Sequence, residues 1–118
     1  MQAQLILPAP AKLNLFLQII GRRDDGYHNL QSVMQCIDWC DELTLTRLDD
    51  PQIQFDSNFV EVPAEHNIAY KAAILLQQHT ACQQGASIYL QKNLPSGAGM
   101  GGGSSDAATT LLGLNRLW

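Results

Sequence analysis

The sequence is poor in cysteine, in basic residues and in long apolar runs, and each shortage excludes something. Cys36, Cys40 and Cys82 form an odd set with no CxxC pair, which argues against a disulfide framework and against a zinc site. They are expected to be buried, reduced thiols of a cytoplasmic protein. His28, His66 and His79 show no HExxH or other metal-binding spacing. Lysine and arginine number only 7 and are scattered, and the net charge is −4. Nucleic-acid binders normally carry a basic stripe, so no nucleic-acid partner is expected. No apolar segment approaches the length that spans a bilayer, so no membrane partner is expected either. The opening MQAQLILPAP lacks the charged leader and the apolar length of a secretory signal.

What is present suits one globular domain of 118 residues, 46% hydrophobic and 15% charged. AKLNLFLQII alternates, with Leu13, Leu15, Leu17 and Ile19 on one face and Lys12, Asn14, Phe16 and Gln18 on the other. This predicts a strand entered through Pro8 and Pro10. Asp25-Gly26 predicts a turn. NLQSVMQCIDW, DELTLTRL and PQIQFD then predict three more strands. Between Asn67 and Cys82 the period becomes helical through Ile68, Ala72, Leu75, Leu76 and His79, with Asn67 as N-cap and Gly85 ending the region. ASIYLQ predicts a strand, and Ala107, Ala108, Leu111, Leu112 and Leu114 predict a last helix. The expected order is β-β-β-β-α-β-α, an α+β fold with a largely antiparallel sheet covered by helices on one face. The last helix still runs at Leu117 and Trp118 without a cap. That predicts an exposed terminal tryptophan short of packing partners, and a chain that is one piece of a longer polypeptide.

The most distinctive stretch is NLPSGAGMGGGSSDAA, residues 93–108. A flexible tether has this composition, but a tether joins finished domains, and this stretch joins a strand to a helix. Gly101, Gly102 and Gly103 let an anion approach the backbone N–H groups. Ser104 and Ser105 fall at a helix start, where unpaired amides and the helix dipole converge. Their hydroxyls could ligate Mg²⁺. Asp106 is expected to stabilise the dipole from the first turn. No lysine follows the glycines, which excludes a Walker A loop, and Gly103 stands where a protein-kinase loop has valine. Gly97, Gly99 and Gly102 match the Rossmann spacing formally.

PSGAGMGGGSSDAA resembles the phosphate-binding motif of the GHMP kinase superfamily, whose members phosphorylate small-molecule alcohols with ATP. The opening PAPAKLNLFLQIIGRRDDGYHNLQSVMQCIDWCDEL narrows the resemblance to one branch. That branch phosphorylates the 2-hydroxyl of 4-diphosphocytidyl-2-C-methyl-D-erythritol (CDP-ME) in the non-mevalonate isoprenoid pathway. The resemblance implies a fold like domain 2 of ribosomal protein S5, forming a GHMP-kinase N-terminal domain over residues 1–118 with its C-terminal part absent. It implies ATP with Mg²⁺ as cofactor, a small-molecule substrate, and the remainder of the same polypeptide as partner. It places the catalytic lysine on Lys12 and substrate contacts on Asn14, Tyr27, His28 and Met34. It places ATP contacts on Asn67, Lys92, Pro95, Ser96, Gly97, Ala98, Gly99, Met100, Gly101, Gly102, Gly103, Ser104 and Ser105; of the two hydroxyls at the helix start, that of Ser104 is the candidate Mg²⁺ ligand.

Met100 stands where leucine is usual, a near-isosteric change expected to be tolerated, and Met34 where phenylalanine is frequent, a change expected to alter affinity rather than specificity. The family's proton-accepting aspartate belongs to a GADVP-like segment that this sequence does not contain. A homoserine- or mevalonate-type kinase, a non-catalytic nucleotide-binding module and a Rossmann oxidoreductase fragment are the competing readings. The DGYHNLQSV run, suited to cytidine, opposes the first.

Overall fold

A computed structural model describes residues 3–22, 28–59, 63–95 and 102–118, with the side chains of residues 13–35 and of Ile37 outside the description. Among the described residues the order is β1 (Gln4–Arg22), β2 (His28–Leu48), β3 (Ile53–Ser57), a 3₁₀ turn (Ala64–His66), α1 (Ile68–Thr80), β4 (Gly85–Gln91) and α2 (Gly102–Leu117). The sheet runs β1-β2-β4-β3. β1 and β2 pair antiparallel, as do β2 and β4, while β3 lies parallel to β4. A parallel neighbour needs a crossover, and α1 supplies it between β3 and β4.

Two strands expected separately, NLQSVMQCIDW and DELTLTRL, are one continuous strand, so the order is β-β-β-α-β-α. Only Cys40 lies between them, and it pairs with Pro10 of β1, so the β1–β2 ladder runs through the junction. β1 also starts earlier than expected, with Pro8 opposite Glu42 and Pro10 opposite Cys40. β1 is an edge strand, and an edge tolerates residues that cannot donate to a ladder. Register shifts fall between Pro10 and Lys12, between Asn14 and Phe16, and between Ile19 and Gly21. Each marks a bulge or irregularity in the β1–β2 ladder. The Asp25-Gly26 turn lies outside the described residues.

The core follows period two on β2 and β4. Leu43 and Leu45 are buried beside Ala86, Ile88 and Leu90, while Glu42 and Tyr89 are exposed. α1 and α2 cover this face, packing on each other. On α1 the buried residues are Ala69 and Ala73, with Leu76 beside the core; Ile68, Leu75 and His79, expected inward, are exposed. On α2 the buried residues are Asp106, Thr109, Thr110, Gly113, Leu114 and Leu117, while Leu111 and Leu112, also expected inward, are exposed. Both faces are turned toward small residues because alanine and glycine admit closer backbone approach than leucine. Gly113 shows the constraint: a Cβ there would collide with Leu45 Cδ1 and lie 2.9 Å from Leu7 Cδ1.

α1 is capped at both ends. The Asn67 side chain accepts the Ala69 N–H at 2.9 Å, as expected of an N-cap. The helix stops at Ala81 in the left-handed region (φ 52°), rather than at Gly85. Gly85 opens β4 instead, where a Cβ would collide with the Asp50 and Gln52 carbonyl oxygens. Trp118 is not stranded: its indole N–H donates to the Gly85 carbonyl at 3.0 Å, and Leu117 is buried. The cysteines are free but not buried, Cys36 being exposed and Cys40 and Cys82 half-buried. No described helix is long and apolar enough to cross a membrane.

Gly113→Val should destabilise the protein by about 1–3 kcal/mol through overpacking, whereas Leu112→Ser on the exposed face should stay within about 0.5 kcal/mol of the parent. Urea unfolding of the two variants checks this, and equal effects would contradict the assigned face of α2.

Candidate functional site

The site is built where β4 ends and α2 begins. Past Gln91 the chain is pinned by a reciprocal pair: the Lys92 N–H donates to Asn58 Oδ1 at 2.7 Å and Asn58 Nδ2 donates to the Lys92 carbonyl at 3.2 Å. The next two amides, Asn93 and Leu94, both donate to Asp41 Oδ1, at 2.7 and 2.9 Å. Asn93 Nδ2 also reaches the Cys40 carbonyl at 3.0 Å. Asp41 sits on β2 at the same parity as Leu43 and Leu45, so period two carries a carboxylate to the end of the apolar face. It is fully buried.

Lys92 links this segment to α2. Its Nζ donates to Asp41 Oδ2 at 2.7 Å and to Asp106 Oδ2 at 2.8 Å. Asp106 does not stabilise the dipole from the first turn, as expected; it is the fifth residue of α2 and only 2% exposed. Its place on the helix is one of the inward positions, so it faces the sheet and not the solvent around the helix end.

The two carboxylates share burial and a cation but differ in hydrogen bonding, and they titrate in opposite directions. Asp106 is pushed up to about 7, first by burial and then by the facing Asp41 carboxyl, with Lys92 pulling the other way. Its Oδ1 is buried with no partner. Burial also opposes ionisation of Asp41. Its hydrogen bonds with Asp106, Lys92 and the Leu94 and Asn93 amides outweigh that and hold it below the ordinary 3.8. Burial works against the Lys92 charge too, yet hydrogen bonds to Asp106 and Asp41 raise its pKa above 10.5. Asp41 and Lys92 therefore form the ionised pair, and Asp106 takes up a proton near neutrality.

The first residues of α2 open beside this cluster. A Cβ on Gly102 would stand 3.3 Å from Leu94 Cδ1 and 3.5 Å from Lys92 Nζ, and one on Gly103 would stand 3.3 Å from Ile68 Cδ1. Gly102, Gly103, Ser104 and Ser105 form the opening turn, whose N–H groups have no partner within the helix. Ser104 is exposed and Ser105 half-buried. Phosphates are commonly held at such a helix end.

The other expected site residues are placed as follows. Lys12 is half-buried on β1. The register pairs Lys12 with Cys36, Asn14 with Met34, and His28 with Arg22. Asn67 lies at the start of α1 and Pro95 is exposed after β4. Tyr27 and the run Ser96, Gly97, Ala98, Gly99, Met100, Gly101 lie outside the described residues. Sequence reasoning missed Asp41 altogether and misread Asp106. The signal for Asp41 was present, as an acid in phase with two core leucines. Among the described residues no cluster of His, Cys, Asp and Glu is arranged to hold a metal.

The family profile described as "GHMP kinases N terminal domain" matches residues 67–118. The 4-diphosphocytidyl-2-C-methyl-D-erythritol kinase of Nitrosococcus oceani is 58% identical, the match covering 97% of this chain and 41% of that protein. By sequence and by fold the chain belongs with the GHMP kinases. The kinase of the same name from Paraburkholderia phytofirmans is 59% identical over 93% of this chain and 38% of its own length. A crystal structure of 4-(cytidine 5'-diphospho)-2C-methyl-D-erythritol kinase superposes with TM-score 0.86 at 38% identity, covering 97% of this chain and 41% of that one. Homoserine kinase from Cytophaga hutchinsonii superposes with TM-score 0.72 at 19% identity, over 99% of this chain and 36% of that one, a likeness of fold alone. The chain thus spans about two fifths of the length of the curated relatives it matches. The GHMP fold and its mixed sheet exclude the Rossmann reading.

The raised Asp106 pKa makes stability depend on pH. The native state holds this proton more tightly than the unfolded chain, whose carboxyl titrates near 3.8. The stabilising contribution is complete below that value and is lost as pH rises to about 7. The ionisable groups facing Asp106 are Lys92 and Asp41, while Lys71 and His79 on α1 are exposed. Unfolding free energies measured by urea between pH 4 and 7 should therefore fall more steeply in the parent than in Asp106→Asn. Parallel curves would contradict the assignment of this proton.

Proposed function

We propose that residues 1–118 are the ATP-binding N-terminal domain of a longer cytoplasmic kinase that transfers the γ-phosphoryl group of ATP to the 2-hydroxyl of CDP-ME, in the non-mevalonate isoprenoid pathway. The observation that carries this reading is the glycine-opened start of α2, set against Lys92 and Ile68. It agrees with the printed names of the relatives at 58% and 59% identity.

Each residue then has a task that its chemistry suits. The run from Pro95 to Ser105 holds the phosphates, chiefly through backbone amides that need no side chain in the way. The Asn67 carbonyl oxygen is occupied by its cap bond, which leaves its NH₂ group for the adenine. Lys12 orients the substrate hydroxyl and offsets charge near the transferred phosphoryl group. Asn14 contacts the substrate beside it, and Met34, its partner across the ladder, packs near the base. Tyr27 stacks on the cytosine and His28 bonds its polar edge. Mg²⁺ fits as a nucleotide-borne ion that takes one protein oxygen from the exposed Ser104 hydroxyl, since Mg²⁺ keeps most of its shell in phosphates and water. When bound it would neutralise phosphate charge. The group that accepts the hydroxyl proton comes from outside residues 1–118, in keeping with the missing GADVP-like segment.

Two measurements test this reading. On the complete gene product, Tyr27→Ala should raise the KM for CDP-ME by about 5- to 150-fold, the worth of one base–aromatic stack, and leave the KM for ATP nearly unchanged. A change confined to ATP would assign Tyr27 to the other ligand. The 118-residue chain by itself should give no CDP-ME-dependent ADP, because a missing base alone costs about 10²–10⁴-fold. Turnover within about tenfold of the complete gene product would place the base inside these residues. A complete gene product that binds ATP without any turnover would favour a non-catalytic nucleotide-binding module.

A further inference from the structure

Three charged residues outside the chemistry meet at the entrance and exit of the glycine stretch. Asp41 Oδ1 holds the amides of Asn93 and Leu94, on the strand side of that stretch. Asp106 belongs to α2, on its helix side. Lys92 Nζ joins the two, at 2.7 and 2.8 Å. No other hydrogen bond between side chains spans these two segments among the described residues.

We propose that the Asp41–Lys92–Asp106 bridge is a positioning device that holds the start of α2 against the end of β4 and so sets where the α2 amides stand for the triphosphate. The Lys92 ammonium is not itself a nucleotide ligand; this rests on the nucleotide reading above. The ammonium has two carboxylates within 2.8 Å and its side chain is only 16% exposed. A phosphate competing for it would have to break one of those buried contacts, and breaking the one to Asp41 would leave an ionised carboxylate buried without a cation, which is strongly unfavourable. The ammonium also stands 3.5 Å from where a Gly102 Cβ would be. The bare Gly102 thus leaves the start of α2 room beside Leu94 and the ammonium.

Asp106 offers a diagnostic substitution, because its charge and its reach make opposite predictions. An acid near a triphosphate repels it, so if charge alone mattered, removing Asp106 would tighten binding. If the bridge positions the helix, removal weakens binding, and an amide that keeps the bridge preserves it. Asn can accept from Lys92 through Oδ1 and donate toward Asp41 through Nδ2.

The test uses the complete gene product and two readouts: amide hydrogen exchange of residues 102–105 without nucleotide, and the Kd for MgATP. Asp106→Ala should speed exchange at 102–105 by about tenfold or more, leave exchange in β2 and β4 unchanged, and raise the Kd about tenfold. Asp106→Asn should stay within about twofold of the parent in both. Asp106→Ser, too short to reach Lys92, replaces the alanine variant if that chain does not fold. Unchanged exchange at 102–105 in Asp106→Ala, or tighter MgATP binding by it, overturns the proposal. A parent protein that binds no MgATP overturns the nucleotide reading instead, and the exchange data still decide whether the bridge holds α2.

Discussion

The contact on which the site depends is the ammonium of Lys92 between two buried carboxylates. Two acids and one base at the rim of an apolar core are costly to desolvate, and hydrophobic replacements often do as well for stability. What they supply is direction. Asp41 uses both oxygens, accepting from two backbone amides and from Lys92. Asp106 uses one oxygen and leaves the other without a partner. The result is a joint in which one acid is saturated and ionised, while the other holds its proton until about pH 7. A joint of this kind fixes the meeting of strand, loop and helix more sharply than apolar contact, which has no preferred angle.

Behind the joint, α2 owes its placement to what its inner face lacks. Gly113 has no side chain where Leu45 and Leu7 press closest, and Thr110 turns its hydroxyl back to the Asp106 carbonyl at 2.8 Å. Arg47 Nη1 donates to the Leu117 carbonyl at 3.3 Å and Trp118 to Gly85, tying the far end of the helix to the sheet. A helix fixed at its C-terminal end by packing and at its N-terminal end by ion pairs has little freedom to tilt. Its opening amides form the candidate phosphate site, so core packing and the site are one problem in geometry.

The fold alone says little about the acceptor. A mevalonate kinase from Methanococcus jannaschii shares it at 12% identity with TM-score 0.66, as does the homoserine kinase at 19%. Such scaffolds support different substrates through the residues placed on them. The register of β1 and β2 makes Asn14 and Met34 neighbours across the ladder.

Several features followed from the sequence alone because their causes are local. Asn67 as a cap depends on the two residues after it, and the glycine stretch between a strand and a helix is visible as composition flanked by two periods. The α+β class and the helical covering of one sheet face followed from the same changes of period. Other features had causes far along the chain. NLQSVMQCIDW and DELTLTRL became one strand because β1 pairs along it and β4 holds its second half. The inward faces of α1 and α2 were set by which small residues let the helices approach the sheet, so the exposed Leu75 and Leu112 misled a reading based on hydrophobic spacing. Lys92 reads as an ordinary strand-end lysine until folding brings it to Asp41, 51 residues away, and Asp106, 14 residues away. Periodicity records which face of an element is apolar. Only tertiary contact decides which charges meet once water is excluded.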